Sequence, residues 1–165
     1  MASIELIGAI KRHYDLVLID TGAGISPNVL SFAEPADEVI VVSTPEPTAI
    51  TDAYALIKTL IRRRESLSVG LLVNMVRDRE EAKRVYDRLN AVCRRFLGLT
   101  LTDAGYLVTD PRVVASVKRR VPFVLDAPDA PASACISRLA HKLDRYASQP
   151  HRRGFFRRFA SWLAG

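Results

Sequence analysis

Tyr14–Ser26 reads YDLVLIDTGAGIS, and the fold is decided by how this stretch is understood. Leu16, Val17, Leu18 and Ile19 form an unbroken apolar run that stops at Asp20. The run is too short for a helix, and no polar residue interrupts it. That pattern predicts a strand, Leu16–Asp20, buried on both faces of a parallel sheet. Thr21-Gly22-Ala23-Gly24 follows as a small-residue loop. The carboxyl ends of strands in an open α/β sheet are where ligand-binding groups are presented. A carboxylate there, followed by glycines that let the backbone approach closely, suits a nucleotide-bound Mg²⁺. The plainer alternative is a buried strand whose terminal Asp20 starts a tight turn.

Working outward, helices and strands alternate. Upstream, Ser3–His13 has Ile4, Ile7 and Ile10 at helical spacing, with Lys11, Arg12 and His13 at its dipole-negative end. Downstream, Ser26-Pro27 is an N-cap and first-turn proline opening a short helix to about Ala33. Val39–Val42 is a second apolar strand. A Pro-rich loop, Ser43–Thr48, leads to a helix capped by Thr48 and running to about Arg63. Val69–Val73 is a third buried strand ending at Asn74. Asp78-Arg79-Glu80-Glu81 has the form of a capping box opening a helix to about Leu97, with Val85, Leu89, Val92 and Phe96 on one face. Leu99–Leu101 and Tyr106–Val108 read as short strands. Asp110-Pro111 starts a helix that Val121-Pro122 stops, Ala127–Pro131 links, and Pro131 opens a last core helix to about Tyr146. The alternation calls for an α/β fold with a mostly parallel sheet flanked by helices. The expected division is a core over 1–147, a linker over 148–153 and a terminal helix over 154–165.

With 165 residues, 48% hydrophobic and 25% charged, the chain has the composition of a single globular domain. No apolar run approaches the roughly 20 residues that span a bilayer. The N-terminus carries an acid early and bases late, the reverse of a secretory signal, so a cytoplasmic protein is expected. Cys93 and Cys135 have no metal-like spacing and are expected as buried thiols. His13, His141 and His151 are scattered, and none is a catalytic candidate.

The net charge of +6 is concentrated at the C-terminus. After Asp144 there is no acid, only Arg152, Arg153, Arg157 and Arg158. On a helix from Phe155, the side chains of Phe155, Phe156, Phe159, Trp162 and Leu163 share one face and Arg157, Arg158 and Ser161 the other. Bulky aromatics opposite arginines suit an anionic membrane interface, each arginine adding about 1 kcal/mol near the surface. The alternative is a tail helix docked on the protein's own core. A second basic feature is the stripe Arg77, Arg84, Arg88 and Arg95, read as a solvated helix edge partly paired with Glu81 rather than a DNA surface.

YDLVLIDTGAG, then ADEVIVVSTPEPTAITDAYALIKTL, then LLVNMV, together resemble the MinD/ParA class of deviant Walker ATPases. Within it the stretch Thr44–Lys58 is most similar to the FlhG branch, the MinD-like regulators of flagellar number and placement. The resemblance covers about Ile4 to Tyr146. It implies a P-loop NTPase-type fold, ATP and Mg²⁺ as cofactors, and homodimerisation. It also implies action at the inner face of the plasma membrane and flagellar or cell-pole proteins as partners. By position it implies that Asp20 holds Mg²⁺ through a water, that Thr21, Gly22 and Gly24 belong to a loop sensing the γ-phosphate, and that Asn74 hydrogen-bonds the adenine edge. The tail matches the membrane-targeting helix with which several such proteins end.

One element of the pattern is missing. Phosphate binding in the class uses a glycine-rich loop with Lys and Ser/Thr, and no Gly-Lys pair occurs in these 165 residues. In the family that loop, the first switch acid and the central strand all lie upstream of the DTGAG strand. The chain therefore reads as the C-terminal part of such an ATPase. By itself it is expected neither to bind ATP tightly nor to hydrolyse it. Its sheet is expected to have a gap or a bare hydrophobic edge. Two other readings are a non-enzymatic membrane-bound interaction module presenting Ile50–Arg63, and a ParA-like DNA partitioning factor.

Overall fold

The structure, a computed structural model, describes residues 13–147. The helix expected over Ser3–His13 lies, but for its last residue, outside the described residues. So do the 148–153 linker and the 154–165 tail helix with its membrane candidates. The elements are α1 (Pro27–Ala33), β1 (Glu38–Ser43), α2 (Pro47–Arg63), β2 (Ser68–Val76), α3 (Arg79–Leu97), β3 (Thr102–Val108), α4 (Pro111–Arg119), α5 (Phe123–Asp126) and α6 (Pro131–Ala147). The three strands form one parallel sheet in the order β1-β2-β3. Strand–helix–strand succession thus produces the α/β architecture expected from the pattern.

Alternation along the strands sorts the core. Val41, Val69, Leu71 and Val73 share a buried cluster with Ile57 and Leu60 of α2 and with Val85, Leu89 and Cys93 of α3. Leu72 and Ala104 are buried outside that cluster, and α6 packs along β3. Gly70 faces the same way as Ile40 and Ala104, because a Cβ there would meet Ile40 Cγ1 at 3.7 Å and Ala104 Cβ at 3.6 Å. Lys142 of α6 reaches the start of β3, donating to the carbonyls of Asp103 at 3.2 Å and Ala104 at 3.3 Å.

The caps mostly follow the sequence. Ser26 Oγ accepts from Val29 N with Pro27 behind it. Asp78 Oδ1 accepts from Glu81 N at 2.7 Å, and Glu81 reaches back to Arg77 N at 2.7 Å, closing the first turn of α3. Asp78→Ala leaves that turn uncapped and is expected to cost about 1 kcal/mol, read as a shift in the urea midpoint. Gly98 in the left-handed conformation ends α3. Helix α2 starts one residue before Thr48: Pro47 is its first residue and Glu46 the flanking one.

Four expectations are corrected. Leu16–Asp20 is not a strand: no ladder pairs it, and Leu16 (41%), Leu18 (70%) and Ile19 (39%) are exposed. An apolar run becomes a strand only when a neighbour supplies hydrogen bonds, and among the described residues none does. Leu99–Leu101 is not a strand either. Its backbone is claimed by α3: Leu101 N donates to Asn90 Oδ1 at 2.9 Å, and Leu101 O accepts from Tyr86 Oη at 2.6 Å. The strand that follows is longer than expected, Thr102–Val108. The buried stripe of α3 is Ala82, Val85, Leu89 and Cys93, so Phe96 is 64% exposed beneath the Arg95 guanidinium, 5.3 Å from its ring centre. In addition, residues 123–126, between the stop at Pro122 and the expected Ala127–Pro131 linker, form the one-turn helix α5.

Candidate nucleotide-facing edge of the sheet

The carboxyl ends of the three strands converge on one edge. β1 ends in buried Ser43, followed by Thr44, whose hydroxyl donates to Glu46 Oε2 at 2.8 Å. β2 continues past Asn74 to Val76 through an irregularity. Val73 pairs with Tyr106 and Val76 with Val108, so β2 carries one extra residue over this interval. Met75 absorbs it with φ +58, exposing its side chain. A left-handed conformation at a non-glycine residue costs of order 1–2 kcal/mol and is held only by its surroundings. Here Asn74 Oδ1 accepts from Met75 N at 2.9 Å, which leaves the amide NH₂ of Asn74 to point elsewhere. A bulge next to a strand end re-aims a side chain in this way.

The third strand end is built around Asp110. Thr109 N donates to Val76 O at 2.8 Å, tying the exit of β3 to the end of β2. Asp110 is buried and caps α4, its Oδ1 accepting from Arg112 N at 2.9 Å and from Arg112 Nε at 3.3 Å. Arg112 also reaches Asp129 at 3.4 Å. The backbone N–H of Arg112, more than its guanidinium, holds the Asp110 carboxyl below the ordinary aspartate value, although burial opposes this. A carboxyl whose pKa is depressed by folding stabilises the fold above its unfolded pKa, and that stability is lost as pH falls through the folded value. Asp110→Asn is therefore expected to be less stable than the parent at neutral pH. The difference in melting temperature should close as pH drops below the ordinary aspartate pKa of about 3.9.

The loop Asp20–Gly24 lies apart from this bonded framework. Asp20, Thr21, Gly22 and Gly24 are all exposed, and among the described residues no hydrogen bond joins them to the strand ends. Gly24 has φ +92, a conformation that favours glycine, and a Cβ at Gly22 would meet nothing. No three His, Cys, Asp or Glu side chains are grouped as a metal would need among the described residues. One exposed carboxylate, one amide and a glycine loop do not by themselves fit a magnesium-bound triphosphate. Of the sequence candidates, then, Asn74 is built into the edge, whereas Asp20 and its loop are free of it. Met75, Asp110 and Arg112 were missed as members of the edge. Asp110-Pro111 signals a helix start, and nothing in LLVNMV signals a bulge. Arg77, just ahead of α3, pairs with Glu81 at 2.9 Å as expected, and Arg84, Arg88 and Arg95 of α3 are exposed. No helix among the described residues is long and apolar enough to cross a membrane.

No protein-family profile matches the chain. Individual proteins do. The antiactivator FleN of Pseudomonas aeruginosa is 33% identical over 160 residues, covering 97% of this chain and 57% of FleN. The flagellum site-determining protein YlxH of Helicobacter pylori is 32% identical over 157 residues, covering 90% of this chain and 53% of its own length. Among solved structures, the septum site-determining protein MinD of Pyrococcus horikoshii, complexed with Mg-ADP, superposes with a TM-score of 0.66 at 23% identity. That match covers 88% of this chain and 56% of MinD. The chain thus spans about half the length of the curated relatives it matches.

Proposed function

We propose, from the premise that the chain belongs to the MinD/ParA class and is most similar to its FlhG branch, that it is the base-recognising half of an ATP-dependent regulator of flagellar number and placement. The observation that carries the reading is the match to FleN along 97% of this chain. It is supported by the position of Asn74 at the carboxyl end of β2, beside the irregularity that Met75 absorbs. In this reading Asn74 reads the adenine edge, and Asp110 with Arg112 fixes the neighbouring wall. Asp20 and the TGAG loop would engage Mg²⁺ and the γ-phosphate only when a phosphate-binding loop stands beside them. When bound, nucleotide and Mg²⁺ would supply the differential contacts that switch the loop between states.

The tail would carry the protein to its place of action. Phe155, Phe156, Phe159, Trp162 and Leu163 would enter an anionic lipid interface, with Arg152, Arg153, Arg157 and Arg158 at the headgroups. Sedimentation with anionic vesicles tests this part: Phe156→Glu should abolish pelleting, and undiminished pelleting would remove the tail from the proposal. The regulatory reading is tested by a chimera. The part of FleN upstream of its match is joined to this chain and expressed in Pseudomonas aeruginosa lacking FleN. Restored control of flagellar number is expected. A stable, expressed chimera that leaves flagellar counts unchanged would overturn the assignment. The 165-residue chain alone should give no heat when titrated with ATP, and micromolar affinity would contradict the division of labour proposed here.

A further inference from the structure

We infer that α4 and the turn that follows it form a docking face for an acidic amphipathic helix on another protein. In the segment 111–125, PRVVASVKRRVPFVL, the side chains of Val114, Val117, Val121 and Leu125 are all exposed, Val117 at 66% and Leu125 at 74%. Single exposed aliphatics are ordinary, but a group of them on one short helical hairpin marks an interaction surface. Val114, Val117 and Lys118 stand at i, i+3 and i+4, so they share one side of α4, and Ser116, fully buried, lies on the other. Asp126 accepts from Ser116 Oγ and pairs with Arg119, which holds α5 against α4 and gives the face a fixed shape.

The charge on this face is unanswered. No acid occurs between Asp110 and Asp126. Both of those carboxylates are already engaged, Asp110 with Arg112 and Asp126 with Ser116 and Arg119. Lys118 and Arg120 are exposed, and among the described residues no carboxylate meets either. Arg120 also holds a left-handed φ of +57, its N–H donating to Val117 O at 3.0 Å and Val121 N to Ser116 O at 3.1 Å. Glycine usually fills that helix-ending position. A long cationic side chain kept there against local preference points to a use beyond ending the helix.

Charge selects the occupant. A second copy of this chain would set Lys118 and Arg120 against the same cations across a two-fold axis. The chain's own remaining segments match no better: 148–165 has arginines and no acid, and 1–12 has Glu5 against Lys11 and Arg12. An anionic bilayer would meet the cations, but none of the exposed apolar side chains here is an aromatic that settles at an interface. What fits is a helix whose aliphatic residues at i, i+3 and i+7 lie across Val114 and Val117, flanked by Asp or Glu that meet Lys118 and Arg120. The face is small, so the complex is a transient one. The inference rests on exposure and charge and takes nothing from the flagellar reading.

The test titrates the full 165-residue chain into a fluorescein-labelled synthetic helical peptide with leucine at i, i+3 and i+7 and glutamate on the flanks, followed by fluorescence anisotropy. A Kd of about 10–100 µM is expected, with binding at least about tenfold weaker for the same peptide carrying lysine in place of glutamate. Arg120→Gly is the discriminating variant. Glycine relaxes the left-handed residue, so the urea midpoint should rise while affinity falls about threefold or more. A residue that served only to end the helix would not move the two in opposite directions. Lys118→Glu should reverse the preference between the peptides, and bound peptide should slow hydrogen exchange at residues 111–125. Failure of the glutamate peptide to bind a chain that is folded by circular dichroism overturns the inference, and so does equal binding of both peptides. Slowed exchange over 111–125 in the chain alone overturns it too. If that protection rises with concentration, the face belongs to a second copy; if Phe156→Glu removes it, to the tail.

Discussion

Leu71→Ala is expected to destabilise the protein by about 3 kcal/mol, the largest effect of any single truncation considered. Leu71 lies on β2, the middle strand, paired to Val41 on one side and Asp103 on the other, and is fully buried. Its side chain belongs to the cluster with Ile57, Leu60 and Leu89, so α2 and α3 both rest on it. Strands on either side prevent the backbone from closing the void, which places the cost in the middle of the Leu→Ala range rather than at its low end. Urea unfolding followed by far-ultraviolet circular dichroism measures it. A loss below about 1 kcal/mol would mean that the core relaxes around the site, contrary to the packing described. Domains of this kind have only about 5–15 kcal/mol in total, so the variant should also melt well below the parent.

Arg64→Met is expected to cost about 2 kcal/mol, through hydrogen bonding rather than packing. Arg64 follows the last residue of α2, and its Nη1 donates to the carbonyl of Glu34 and, at 2.7 Å, to that of Ala36. Those two carbonyls belong to the turn between α1 and β1, whose own backbone bond, Ala36 N to Ala33 O, is 3.3 Å long. Methionine keeps the aliphatic stem and removes both donors, so the measured loss isolates the guanidinium. Amide exchange at the start of β1 should accelerate in the same variant while the middle of β2 stays slow. Uniform acceleration would instead mean that the whole domain opens together.

What was legible in the chain, and what was not, divides along a physical line. Continuous β-branched runs such as EVIVV, and the 3.6-residue spacing in ITDAYALIKTLI, report interactions internal to this unit, and they appear where expected. The LVLID run reports burial too, but burial among neighbours that the described residues do not include. Phe96 misled for a different reason: a helix stripe can rotate by one residue, and Cys93, a small apolar group, was the better fit to the core. At the strand-end edge, the role expected of Asn74 rests on resemblance alone. A bulge adds no special residue, and Met75 holds a left-handed φ in a position where glycine or asparagine would have betrayed it.

The two cysteines, both free and buried, divide the molecule for an experimenter. Cys93 sits in the layer under α3, where burial pushes its thiol up to about 11. Cys135 sits in α6 on the other flank, with Arg138 Nη2 3.0 Å from its sulfur. A thiol-reactive dye meets neither until the layer holding it lifts. Single-cysteine variants would therefore time the two flanks separately. That would show whether the sheet sheds α6 before α3, and which flank a docked partner steadies.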